Sequence, residues 1–104
     1  GDSFSIISTS LEYIGMTSLK TVRRGDIIIA NNKKLCYTEG TRFRSLTKRR
    51  SQKVLVVDNE DYKNCLLEDK VCSPLCDSKG CWGPGHAQCL GNKIISNNVE
   101  DWLL

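Results

Sequence analysis

IIIANN, residues 27–32, is a four-residue apolar run that ends on asparagine. It returns 27 residues later as VLVVDN, residues 54–59, so that Ile27-x-Ile29-x-x-Asn32 is matched by Val54-x-Val56-x-x-Asn59. A weaker copy, Phe4-x-Ile6-x-x-Thr9, lies 23 residues before the first. A short β-run recurring with a period in the twenties, with an Asn at a fixed offset, is the mark of a solenoid in which each run forms one rung of a parallel stack. The Asn side chain can satisfy backbone groups where the chain turns away from the strand. Between the runs, Leu19-x-x-Val22 and Phe43-x-x-Leu46 supply core-facing residues from a turn or short helix. Gly25, in Arg23-Arg24-Gly25-Asp26, is free to take positive φ at the turn into the second run.

Strand geometry sorts the side chains into two faces. Ile27 and Ile29 project one way with Val54 and Val56; Ile28 and Ala30 project the other way with Leu55 and Val57. Both faces are apolar. Such a sheet is either covered on both sides, as parallel sheets usually are, or presents one face to a partner. A solenoid interior takes only one face, which favours the second reading. Two or three rungs are too few for a solenoid that caps itself. The N-terminal rung is therefore expected to expose an unpaired edge and an open core, to be covered by something preceding Gly1 or by another chain.

The chain has 104 residues, enough for one domain or a small domain with an appended module. A core this small is thin, and six cysteines are available as staples. The formal net charge of +3 is mild and has one concentration, Arg42, Arg44, Lys48, Arg49 and Arg50, with Phe43 inside it. This could be a nucleic-acid face, but a solvated loop is the expected reading. With no signal peptide and no run of 18 apolar residues, the chain is not expected to insert into a membrane. Its start, Gly1-Asp2-Ser3, reads like an excised or processed piece.

From Cys65 onward the cysteines fall at 65, 72, 76, 81 and 89, with Cys36 apart after the second run. Zinc sites usually present paired C-x2-C ligands, and there is none here. His86, beside Gly-Pro-Gly, is expected to be an exposed loop residue, and a thioredoxin-like C-x-x-C is absent. A catalytic Cys–His pair would lack an orienting partner. Disulfides in a secreted or cell-surface protein are therefore expected, with no metal and no cofactor. Six cysteines allow fifteen pairings, among which spacing does not choose. A boundary is expected near residues 66–71, and residues 91–104 could form a short amphipathic segment ending in Trp102-Leu103-Leu104.

Leu35-Cys36-Tyr37, the cysteine spacing from Cys65 to Cys89, and Cys81-Trp82-Gly83-Pro84-Gly85 together resemble the epidermal growth factor receptor (ErbB) family. They are similar to the end of its second receptor L domain and the first furin-like cysteine-rich module that follows. The likeness runs from about Phe4 to Leu90. The insulin receptor branch lacks the Cys-Trp-Gly-Pro run, and the family's first L domain usually has an extra cysteine before its module. The resemblance implies a mainly β fold: a partial right-handed β-helix over residues 1–68, a small disulfide-rich knot over 69–90, and a tail over 91–104 unlike the family. It implies that Cys36 pairs with Cys65, Cys72 with Cys81 and Cys76 with Cys89. It also implies that Trp82 inserts into the last rungs, in a gap between those carrying Ile29 and Val56. Where the family continues with a cysteine this chain has Asn92, and at Phe43 the family usually has tryptophan.

The function so implied is that of an extracellular part of a growth-factor receptor tyrosine kinase ectodomain that contributes to binding an EGF-like ligand. The implied contact residues are Ile28, Ala30, Leu55, Val57 and Asp58. No glycine-rich phosphate loop or catalytic-loop motif is present, so the chain itself is not expected to be an enzyme. The alternative is a truncated receptor-like protein acting as a decoy, or pairing with a full-length receptor through its open edge. Neither reading expects a nucleic-acid partner.

Overall fold

The computed structural model describes residues 3–91; Trp102 and the rest of the amphipathic segment expected near the C-terminus lie outside the described residues. Three four-residue strands, β1 (Phe4–Ile7), β2 (Ile27–Ala30) and β3 (Val54–Val57), form an open parallel sheet in the order β1-β2-β3. Their register follows the repeat: Phe4 lies level with Ile27 and Val54, and Ile6 with Ile29 and Val56. Ile and Val predominate in these runs and suit a pleated surface buried on at least one side.

Each strand ends in the same way. Ser8, Asn31 and Asp58, one position after β1, β2 and β3, all take left-handed φ values of 55°, 59° and 56°. This region is uncommon for residues other than glycine and is best tolerated by Asn and Asp. The turn brings Thr9, Asn32 and Asn59 into a column. The Asn32 amide nitrogen donates to the Ile6 carbonyl at 3.0 Å and to Asn59 Oδ1 at 2.9 Å. Asn32 Oδ1 accepts from the Thr9 backbone N–H and hydroxyl at 2.9 and 2.7 Å, and Asn59 donates to the Ile29 carbonyl at 3.0 Å. Asn32 is completely buried. Buried polar atoms must find partners, and here each copy of the repeat supplies them to the next.

The opposite end of the sheet has its own buried polar side chain, Gln52. Its Oε1 accepts the backbone N–H groups of Lys48 and Arg49, and its Nε2 donates to the carbonyls of Val22 and Gly25. Nothing in the repeat pattern marks this residue. Gly25 sits at φ 71°, where an added Cβ would come within 2.8 Å of the Ser3 backbone nitrogen, so both the turn and the close approach call for glycine.

The inner face of the sheet packs into one core. Ile27 and Ile29 of the central strand are fully buried, while Phe4, Ile6, Val54 and Val56 on the flanking strands are half-buried. Val22, Leu35, Phe43, Leu46, Trp82 and Leu90 complete it. Phe43 and Leu46 come from a 3-10 turn, Phe43–Leu46. A short helix not anticipated from the sequence, α1 (Tyr62–Leu67), carries Cys65 inward; the Asp61 side chain caps it by accepting from the Lys63 N–H at 2.9 Å.

Candidate protein-docking face and the knot that braces it

The outer face of the sheet carries Ser5 and Ile7 from β1, Ile28 and Ala30 from β2, and Leu55 and Val57 from β3, in two rows of matched register, Ser5-Ile28-Leu55 and Ile7-Ala30-Val57. Ile7, Leu55 and Val57 are 48%, 47% and 39% exposed, and Ile28 is half-buried. Ala30, expected among the contact residues, is only 6% exposed. Its methyl group lies level with the larger Ile7 and Val57 on either side, so it offers little surface of its own. Ile7 shares the face, although the weak first copy of the repeat had marked only its inward residues. Asp58 is exposed and held in the left-handed turn that closes β3. Together these residues make a flat apolar strip, open to solvent, with a carboxylate at one corner. Such a strip suits protein contact and offers no chemistry.

Behind the core, three disulfides join Cys36 to Cys65, Cys72 to Cys81 and Cys76 to Cys89. The first ties the loop after β2 to α1. The other two interleave in sequence and form a crossed knot, with Cys76, Cys81 and Cys89 buried together. Backbone contacts seat this knot: Arg42 N–H donates to the Lys79 carbonyl at 2.8 Å, and Cys81 N–H to the Thr41 hydroxyl at 3.2 Å.

Trp82 leaves the knot and enters the core, where it is 1% exposed. Its ring meets Phe4 edge-on at 6.1 Å and Phe43 at a tilt, 5.9 Å between centroids. The gap it fills is thus walled by β1 and the 3-10 turn, with Ile29 and Val56 in the same cluster. The Trp82 carbonyl accepts the N–H groups of Ile14 and Gly15, and its own N–H donates to the Gln88 carbonyl at 2.6 Å. At Gly83 a Cβ would stand 2.6 Å from the Tyr13 ring. Backbone and side chain are therefore clamped from both sides.

An ion-paired lysine lies at the seam. Lys70 Nζ is 2.8 Å from Glu12 Oε1 and 3.6 Å from Glu68. The hydrogen bond from Lys70 lowers the Glu12 carboxyl below its ordinary value and raises the Lys70 ammonium above its own. Burial raises the Tyr37 hydroxyl nearby. His86 is exposed, and among the described residues no cluster of His, Cys, Asp and Glu could hold a metal ion. Nor, among them, is any helix long and apolar enough to cross a membrane.

Comparison with known proteins bears on this arrangement directly. Residues 2–48 match the Receptor L domain family. The chain is 37% identical over 98 residues to the epidermal growth factor receptor of Gallus gallus, covering 94% of this chain. It is 42% identical over 88 residues to the receptor tyrosine-protein kinase erbB-4 of Homo sapiens, covering 85% of this chain. This chain belongs to the epidermal growth factor receptor family. The Apis mellifera epidermal growth factor receptor is similar at 37% over 98 residues. The chain spans a small part of these relatives: 14% of the Gallus gallus receptor, 8% of that from Apis mellifera and 6% of erbB-4. In this member of the family the matched region is receptor L domain, a part of receptor ectodomains, and not a kinase domain.

Proposed function

We propose that this chain is an extracellular, non-catalytic part of a growth-factor receptor ectodomain, and that its open sheet face takes part in binding an EGF-like ligand. The observation that carries this reading is the apolar strip of Ile7, Leu55 and Val57, with Ile28 half-buried between them, left open to solvent on a sheet whose other face packs on the core. The three strands are read as rungs of a partial right-handed β-solenoid from the end of the second L domain, covering residues 1–68. Residues 69–90 are read as the first cysteine-rich module, docked through Trp82. Family membership supports each assignment, and the three disulfides suit an oxidising compartment. A growth factor would cover Leu55 and Val57, with Ala30 as the floor and Asp58 at the polar rim.

The test is binding of the oxidised protein to a panel of EGF-like growth factors, with Leu55→Asp and Ile28→Asp beside the unaltered chain. Loss of binding in both variants with unchanged thermal unfolding is the expected result. Binding that both variants retain in full would overturn the assignment of the face.

A second reading has its own observation. β1 is an edge strand, and its inward residues Phe4 and Ile6 are half-buried where their β2 counterparts are fully covered. An open edge of this kind is a template for another chain. Pairing with a full-length receptor, or action as a decoy, would show as co-purification with a receptor ectodomain that the face variants leave intact.

A further inference from the structure

Eleven of the fifteen basic residues fall between Lys20 and Lys53, against two acids, Asp26 and Glu39. The fold concentrates part of this charge. The turn before β2 carries Arg23 and Arg24, and the turn before β3 carries Lys48, Arg49 and Arg50; all five are exposed. The two turns are stacked. Val22 pairs with Thr47 in a parallel bridge, and Val22 N–H donates to the Leu46 carbonyl at 2.8 Å. Gln52, 4% exposed, then locks them together: it accepts from the Lys48 and Arg49 backbones while donating to the Val22 and Gly25 carbonyls.

Turns that lead into neighbouring strands stack at about the strand spacing of 4.8 Å. Like charges placed this closely repel one another. Among the described residues none of the five is in an ion pair. Asp26, the acid in these turns, accepts the Lys53 backbone N–H at 2.8 Å through Oδ1. The buried glutamine thus holds in place a cluster of positive charge that is left unneutralised.

We propose that Arg23, Arg24, Lys48, Arg49 and Arg50, at the end of the sheet away from the Asn column, form a binding surface for a linear sulfated polysaccharide. This rests on the extracellular reading above, because sulfated polysaccharide is the polyanion of that compartment. The chemistry of the patch separates it from a single-strand nucleic-acid site. Such sites interleave basic residues with exposed aromatic rings on which bases stack, and Phe43, the aromatic residue within the basic stretch, is 2% exposed and packed against Trp82. What remains is a set of guanidinium and ammonium donors, carried on turns whose backbones Gln52 holds together, suited to sulfate oxygens.

The test uses the intact, oxidised chain and heparin oligosaccharides of defined length as the probe, with affinity measured across a salt series. The charge-removing variant K48Q/R49Q/R50Q is compared with K33Q/K34Q/K63Q, which removes the same charge elsewhere. The first variant is expected to lose at least about tenfold in affinity at 0.15 M salt and to show a shallower salt slope, since fewer counterions are released. The second is expected to stay close to the unaltered chain. Equal losses in the two variants would show a net-charge effect only and overturn the site. Tighter binding to duplex RNA or to phosphatidylserine vesicles than to heparin would also overturn it, as would affinity indifferent to desulfation of the oligosaccharide. Growth-factor binding by the same samples reports separately on the ectodomain reading. Ligand captured by a chain that ignores heparin leaves that reading standing and removes only this one.

Discussion

Residues 3–68 and residues 69–91 reach order by different routes. In the first region three strands repeat one pattern, and each copy satisfies the backbone of the next through register, left-handed turn and Asn column. The second region has no strand of its own, only a Cys81–Cys89 bridge and a 3-10 turn at His86–Gln88. Two crossed disulfides stand in for periodic structure there, and its largest side chain is buried among residues of the other region. A piece of chain too small for a hydrophobic core of its own can be ordered by cross-links plus one anchor in a neighbour's core.

The anchor is the sharpest place to break that relationship. Trp82→Ala removes a fully buried indole from between Phe4 and Phe43 and is expected to lower stability by about 3–5 kcal/mol, measured by denaturant or thermal unfolding. Both regions should lose amide protection together. If stability is unchanged, the knot folds independently of the strands.

The cross-links come next. Removing the Cys76–Cys89 bridge as the double alanine variant opens a loop with a separation of 13 residues, for an expected loss of about 3 kcal/mol. Here the regions should part: hydrogen exchange should quicken across residues 76–90 and remain slow in β2. Asn32→Ala acts in the opposite place. It leaves the Thr9 N–H and the Ile6 carbonyl without their partner in a buried column, at an expected cost of about 2–3 kcal/mol, with β1 releasing its protection first. The Ile6 carbonyl and Thr9 N–H are the groups to follow by amide exchange and carbonyl shifts.

The smallest effect belongs to the seam. Glu12 is held below its ordinary value, so the stability it brings is present above the unfolded carboxylate range and is lost as pH falls through its lowered folded value. Lys70 is raised, so its contribution is complete below the unfolded ammonium value and is lost only as pH rises through the raised one. Glu12 is exposed and Lys70 partly so, and the pair is screened by solvent. A Glu12→Gln variant should therefore unfold slightly below the unaltered chain at neutral pH, with the gap closing in acid; thermal unfolding across pH checks the sign.

Much of the strand region was readable because a period leaves a record in the residues themselves. The inward pairs Ile27/Ile29 and Val54/Val56, the capping asparagines and the core slots at Val22, Phe43 and Leu46 all follow from alternation and fixed offset. Gln52 was not readable, because its partners are four backbone groups in two turns, and nothing in their side chains signals the contact. The helix at Tyr62–Leu67 escaped notice because six residues give too little periodicity to stand out. On the outer face, alternation chose the residues but not their exposure: Ala30 is a small side chain on the central strand between Ile7 and Val57, whereas Leu55 is a large one on an edge strand with a neighbour, Ile28, on one side.

By itself, then, the sequence determined what repeats: strand positions, inward and outward faces, and a small cysteine-rich segment in need of staples. These are local or periodic properties, carried by the chemistry of neighbouring residues. The tertiary structure decided what meets across the chain. It chose among fifteen cysteine pairings, set Trp82 against Phe4 rather than only beside Ile29 and Val56, and stacked two basic turns on one buried glutamine. Contacts between residues tens of positions apart depend on how loops return, and side-chain type along the chain does not encode that path.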